Sequence, residues 1–102
     1  MAGGVVSMAS RATARRTRDD DLIARHIEPS DEHPGPADVR LAGSGVPVWA
    51  LAGQYVALDG DIAQISLDFD LPREAVEAAI AYYRRHRAVI DARLAANRPS
   101  LA

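Results

Sequence analysis

From Val48 onward the apolar side chains recur at helical spacing. In "VWALAGQYVAL", Val48, Leu51, Ala52, Tyr55 and either Val56 or Leu58 fall on one stripe at steps of three and four, which predicts an amphipathic helix. Gly53 interrupts it and leaves room for a close neighbour. "DG" at Asp59–Gly60 ends it, with Gly60 as a left-handed cap. A second helix is predicted over about Ile62–Asp68, burying Ile62, Ile65 and Phe69. Asp61 caps its start, with Gln64 three residues on as a loose capping box. Pro72 suits the first turn of a last helix, because its missing N–H costs nothing there. That helix is predicted to continue to about Ala96. Its apolar positions are Val76, Ala79, Ile80, Tyr83, Ile90 and Leu94, at steps of 3, 1, 3, 7 and 4. Such a helix is about 35 Å long at 1.5 Å per residue. It overshoots so small a core, so Ile90 and Leu94 are expected to be covered by a second copy of the chain or by another protein.

Before Val48 the pattern weakens. "LIARHIE" (22–28) and the alternating "DVRLAG" (38–43) suit short strands. "PSDEHPGP" (29–36) between them is a loop rich in turn formers. Residues 1–20 show no periodicity and read as a disordered N-terminal arm, with Met8 a candidate start of the chain. The domain is expected to span residues 21–98, with a tail at 99–102. The fold class is therefore mainly α: a three-helix, helix-turn-helix core with a short N-terminal β element and a long C-terminal helix. Trp49, Tyr55, Phe69, Tyr82 and Tyr83, the only large aromatics, all lie in the second half, which places the core there.

The turn between the last two helices carries the question of function. In "ISLDFDLPREAV", Ile65 points inward and Ser66 is small enough for a close crossing. Phe69 closes the first helix, and Asp70 tolerates the left-handed turn position. Leu71 plugs the turn and Val76 anchors the second helix. That order is what helix-turn-helix packing needs. A reading helix offers its first residues to base edges, and here these include Arg73, Glu74 and Glu77. From Asp59 to Glu77 six acids (Asp59, Asp61, Asp68, Asp70, Glu74, Glu77) stand against one base, Arg73. Phosphate contacts supply most DNA affinity, so this face alone is expected to bind DNA poorly.

Charge adds two arginine strips. The net charge is −2, and all twelve basic residues are arginine. Arg11, Arg15, Arg16 and Arg18 form one strip, followed at once by Asp19–Asp21. With Arg73, they are the candidate DNA contacts; the alternative is a solvated tail. Arg84, Arg85, Arg87, Arg93 and Arg98 form the second strip. It reads either as a solvated face with an Arg87–Asp91 pair one turn apart, or, with Ile90 and Leu94, as a docking strip for an acidic protein surface. Arginine's planar fork suits paired carboxylates.

Other chemistry is thin. The chain has no cysteine, which excludes disulfides and thiolate metal sites. The longest mostly apolar stretch, "GVPVWALAG", is half the ~20 residues of a membrane span. A cytoplasmic location is expected. His26, Glu28, Asp31, Glu32 and His33 fit no metal-ligand spacing. Ser44 and Ser66 lack a sequence-adjacent His–carboxylate partner, and "GSG" (43–45) matches no phosphate loop. No enzyme activity, cofactor or metal is expected.

The motifs "VPVWAL" (Val46–Leu51), Gly60, "FDLPREAVEAAIAYY" (Phe69–Tyr83) and "IDARLAANR" (Ile90–Arg98) occur in a fixed order. On them the chain resembles the family called domain of unknown function four-three-three, over roughly Val39–Arg98, and within it the branch of VapB-type antitoxins. Two features depart from the family pattern. The usual Thr-Arg is Ser44-Gly45, and the upstream strand signature is reduced to "PADVRLAG". The resemblance implies a homodimeric antitoxin that binds and neutralises a PIN-like ribonuclease toxin and represses its own operon. Such toxins hold Mg²⁺ with clustered carboxylates, which gives the second arginine strip a target. The alternatives are a DNA-binding regulator without a toxin partner and a dimeric structural adaptor.

Overall fold

The computed structural model describes residues 8–97, with side chains from residue 13. The chain is mainly α. Five helices and one short hairpin-like pair of strands run in the order α1 (Met8–His26), β1 (Ile27–Glu28), β2 (Arg40–Leu41), α2 (Val48–Ala57), α3 (Ile62–Phe69), α4 (Arg73–Arg85) and α5 (Arg87–Ala96).

The core grows from the stripes on α2, α3 and α4. Val48, Leu51 and Ala52 of α2, Ile65 of α3, and Val76, Ala79, Ile80 and Tyr83 of α4 are buried together with Leu41 and Ile90. Local chemistry sets the joints. Gly60 adopts φ +83, and Asp61 Oδ1 accepts from the Gln64 N–H at 3.0 Å to start α3. The Gln64 side chain donates to Asp68 Oδ1 instead of closing a capping box. Asp70 takes the left-handed turn position, φ 53 and ψ 53, and Ser66 Oγ donates to the Leu71 carbonyl across the turn at 2.5 Å. The helix-turn-helix expected from Ile65 to Val76 is therefore present in α3 and α4. Of the two alternatives on the α2 stripe, Leu58 turns inward and Val56 outward.

Two expectations fail at the N-terminal side. Residues 8–20, expected to be disordered, belong to α1, and Leu22–His26, expected as strand, continue it. The β element shrinks to two antiparallel residue pairs, Ile27↔Leu41 and Glu28↔Arg40. The reason is tertiary. Among the side chains described, from residue 13 on, the apolar residues that α1 turns toward the protein body are Leu22, which is buried, and half-buried Ile23. Its remaining hold comes from charges on α4, far away in sequence.

The largest correction concerns the last helix. It does not run on to Ala96 unbroken but breaks at His86, whose φ −125 and ψ 37 lie outside the helical range. The His86 ring stacks on Tyr82, with centroids 4.2 Å apart. After the break α5 folds back onto α2. Ile90 becomes fully buried, at 0% exposure, and half-buried Leu94 packs against the same core. Neither side chain needs a second molecule to cover it. Burying an isoleucine contributes about 1.5–3 kcal/mol, which outweighs the hydrogen bonds lost at one break at about 1 kcal/mol each. Gly53 makes the approach possible: a Cβ there would stand 3.1 Å from Leu94 Cδ2.

Candidate functional site

Two surfaces flank α4 on opposite sides. The first is its seam with α1. Arg25 and His26, at the end of α1, both reach Glu74 at the start of α4, at 3.2 and 2.7 Å. Arg18 reaches Glu77 at 3.2 Å. At the other end, Arg85 pairs with Asp20 at 2.5 Å and donates to the Arg16 carbonyl at 3.1 Å. The two helices therefore run antiparallel. Ala78 and Ala81 share the α4 stripe that bears these contacts, and both are at 0% exposure. Alanine lets the helix axes come close.

This seam changes the meaning of the helix-turn-helix. Glu74 and Glu77, which repel phosphate in an open α4, are neutralised by α1. α1 covers the middle of this α4 face, at Ala78 and Ala81, and leaves Glu74 half-exposed. Arg73 remains exposed at the α4 start. The Glu74 carboxyl is held below its ordinary value of 4.5, first by the hydrogen bond from His26 and then by the charge of Arg25. A depressed carboxyl contributes stability above its unfolded pKa and loses it as pH falls through the folded one. Amide exchange in the last turns of α1 is therefore expected to accelerate, relative to α4, as pH drops below about 4.5. Equal protection of the two helices down to pH 3 would contradict the Glu74 linkage.

The second surface is a groove of about 700 Å³ between α2 and the α4–α5 bend, lined by Gly53, Val56, Tyr83, Arg87, Asp91 and Leu94. Val56 is 59% exposed there. The Arg87 guanidinium lies 5.3 Å from the Tyr83 ring centre. Tyr83 donates its hydroxyl proton to Asp91 at 2.7 Å. That bond, with burial second, raises the tyrosine pKa. The Arg87–Asp91 ion pair expected one turn apart does not form; Arg87 lies over the Tyr83 ring, and Asp91 accepts from the Tyr83 hydroxyl.

Residues 38–83 match the family described as "Protein of unknown function (DUF433)", a little under half of the 102 residues. This segment is similar to the DUF433 family. No curated protein and no solved structure matches the chain. The DUF433 segment comprises β2 through most of α4 and ends at Tyr83, short of the "IDARLAANR" run that resembled the family pattern. Both surfaces straddle its limits. The groove takes Gly53, Val56 and Tyr83 from the DUF433 segment and Arg87, Asp91 and Leu94 from beyond it. The seam packs α1, outside the segment, on α4 inside it.

The two arginine strips are thus redistributed. Of the candidate toxin contacts, Arg87 and Leu94 line the groove, while Ile90 is sealed in the core. Arg85 is held by Asp20. Arg93 pairs with Asp38 at 2.9 Å and lies 4.9 Å from the Trp49 ring centre. Arg84 is exposed. Arg98 lies outside the described residues. Of the candidate DNA contacts, Arg18 is paired with Glu77, Arg15 and Arg16 are exposed, and Arg11 stands early in α1 with its side chain outside the described residues. Sequence reasoning missed Gly53 and Val56 as groove residues. An outward valine beside a helical glycine was the available signal. The residues considered for a metal are dispersed: His26 faces Glu74, whereas Glu28 and Asp31 pair with Arg40. Among the described residues no group of three or more His, Cys, Asp or Glu is placed to hold a metal ion. No helix among them is long and apolar enough to cross a membrane.

Proposed function

We propose that the protein acts in the cytoplasm by binding another protein, as the antitoxin of a type II toxin–antitoxin pair that neutralises a PIN-like ribonuclease. The observation that carries this reading is the groove. Its exposed Val56 and half-buried Leu94 offer an apolar floor, and Arg87 stands on its rim as the cation. An occupant that fits brings an apolar anchor flanked by a carboxylate. The carboxylate-lined active site of a metal-dependent ribonuclease supplies the second element: Arg87 would pair with carboxylates that otherwise hold the toxin's Mg²⁺. The α1 cover over the middle of α4 supports protein binding over groove reading by the helix-turn-helix.

The test looks beside the gene for a PIN-like ribonuclease reading frame, titrates the chain into that enzyme and follows RNA cleavage. Inhibition is expected. Val56→Glu places an unpaired charge on the apolar floor and is expected to weaken inhibition at least about 100-fold; Arg87→Ala is expected to cost about tenfold or more. Both positions are exposed, so unfolding does not confuse the result. Full cleavage at every ratio, or inhibition indifferent to both changes, refutes the reading. Truncation after Tyr83 is a poor test, because it removes Ile90 from the core.

A further inference from the structure

The groove beside the α4–α5 bend restricts the form of whatever enters it. α5 contributes Arg87, Asp91 and Leu94 to the lining. They follow one another at steps of four and three, so they stand on one stripe of that helix. α2 contributes Gly53 and exposed Val56. Both charges on the stripe are held in place yet lack an opposite charge. The Arg87 guanidinium lies over the Tyr83 ring and donates no hydrogen bond among the described residues. Asp91 accepts from the Tyr83 hydroxyl through Oδ1, which leaves Oδ2 without a donor among the described residues. One turn of α5, about 6 Å of its axis at 1.5 Å per residue, separates the cation from the anion. The six lining residues all belong to helices, so the groove offers no sheet edge.

We infer that the groove takes an amphipathic helix of the partner protein, with an acid set against Arg87, a base against Asp91 and an apolar residue on Val56 and Leu94. The inference rests on the reading that the groove binds a protein, and it names the element that enters. An extended segment buried there leaves its own N–H and C=O groups unpaired, because no strand stands in the wall to receive them. A proline-rich segment docks on a groove lined with aromatic rings. Here the lining holds one ring, Tyr83, with Arg87 over it. A helix satisfies its own backbone and presents only side chains. Its residues one turn apart repeat the spacing of Arg87 and Asp91. The size agrees. A groove of about 700 Å³ holds a helix roughly 10 Å wide over about 9 Å of its axis, which is roughly six residues. The two signs on the stripe also fix direction, since the same helix turned end for end sets like charges face to face.

The test selects phage-displayed random peptides of about 16 residues, some four helical turns, on the full chain. Those that also bind Val56→Glu are removed. The enriched peptides are expected to repeat apolar residues at steps of three and four, to carry an acid and a base one turn apart, and to lack proline. The strongest of them, made synthetically, is expected to lose at least about tenfold in affinity when proline replaces a central residue. Exchanging its acid with its base is expected to cost about tenfold. The double variant Arg87→Asp with Asp91→Arg, at two exposed positions, is expected to restore binding of the exchanged peptide. Enrichment of alternating or proline-rich sequences, or of none above the Val56→Glu background, overturns the inference. So does a free chain that sediments as a dimer and becomes a monomer with Val56→Glu, which assigns the groove to a second copy. A chain that inhibits the ribonuclease yet enriches no helical peptide keeps the antitoxin reading and loses this one. Helical peptides without inhibition keep this one and remove the ribonuclease.

Discussion

Replacing Ile90 by alanine is expected to destabilise the isolated chain by about 3 kcal/mol, within the range for deleting a buried isoleucine's methyl groups. For a domain of this size that lowers the melting temperature by roughly 12–24 °C. Its neighbour Val89 is 36% exposed, and Val89→Ala is expected to stay within about 0.5 kcal/mol. The contrast is decisive because a straight continuation of α4 would carry Ile90 away from the body. In that arrangement Ile90→Ala leaves the isolated chain unaffected and weakens only binding. Thermal melting of the two variants, with the unaltered chain as reference, separates the cases. A melting temperature for Ile90→Ala within a few degrees of that reference would rule out the break at His86.

Ala78→Leu is expected to cost about 1–3 kcal/mol, the usual penalty for forcing extra methyl groups into a filled contact. The damage should be local. Ala78 lies outside the main apolar cluster, which groups Val76, Ile80 and Tyr83 with α2, α3 and Ile90. A leucine there pushes on α1, whose hold is buried Leu22 and ion pairs with exposed members. Such pairs are individually weak and screened by salt. Hydrogen exchange should therefore show α1 amides losing protection while α4 amides keep most of theirs. Unchanged exchange in α1 would mean that Ala78 does not face it.

The parts of the fold legible in the sequence are those whose causes are local. Gly60, Asp61 and Asp70 announce their conformations through residue type alone, and the apolar periods of α2, α3 and α4 find their own faces. What escaped has causes distant along the chain. Nothing near residue 15 says that the segment is helical, because what stabilises it stands at Glu74, Glu77 and Asp20–Arg85. The break at His86 has no glycine or proline to mark it. It follows from the gain in returning Ile90 to a core that α2 builds forty residues earlier. The candidate surfaces were half legible for the same reason. Arg87 and Leu94 were among the expected binding residues, and Arg15, Arg16 and Arg84 were among the expected cations. Their sorting onto opposite sides of α4 depends on how α1 and α5 pack, which residue spacing does not encode.

Trp49 is the chain's single tryptophan, and its ring carries the Arg93 guanidinium of α5 on one face. Its ultraviolet emission therefore reports on α5 without any label. Whenever α5 departs, by mutation, heat or a ligand entering the groove, the indole loses a neighbouring charge and gains water, and its spectrum shifts to the red. The fold supplies its own optical gauge for the segment that lies beyond the DUF433 region.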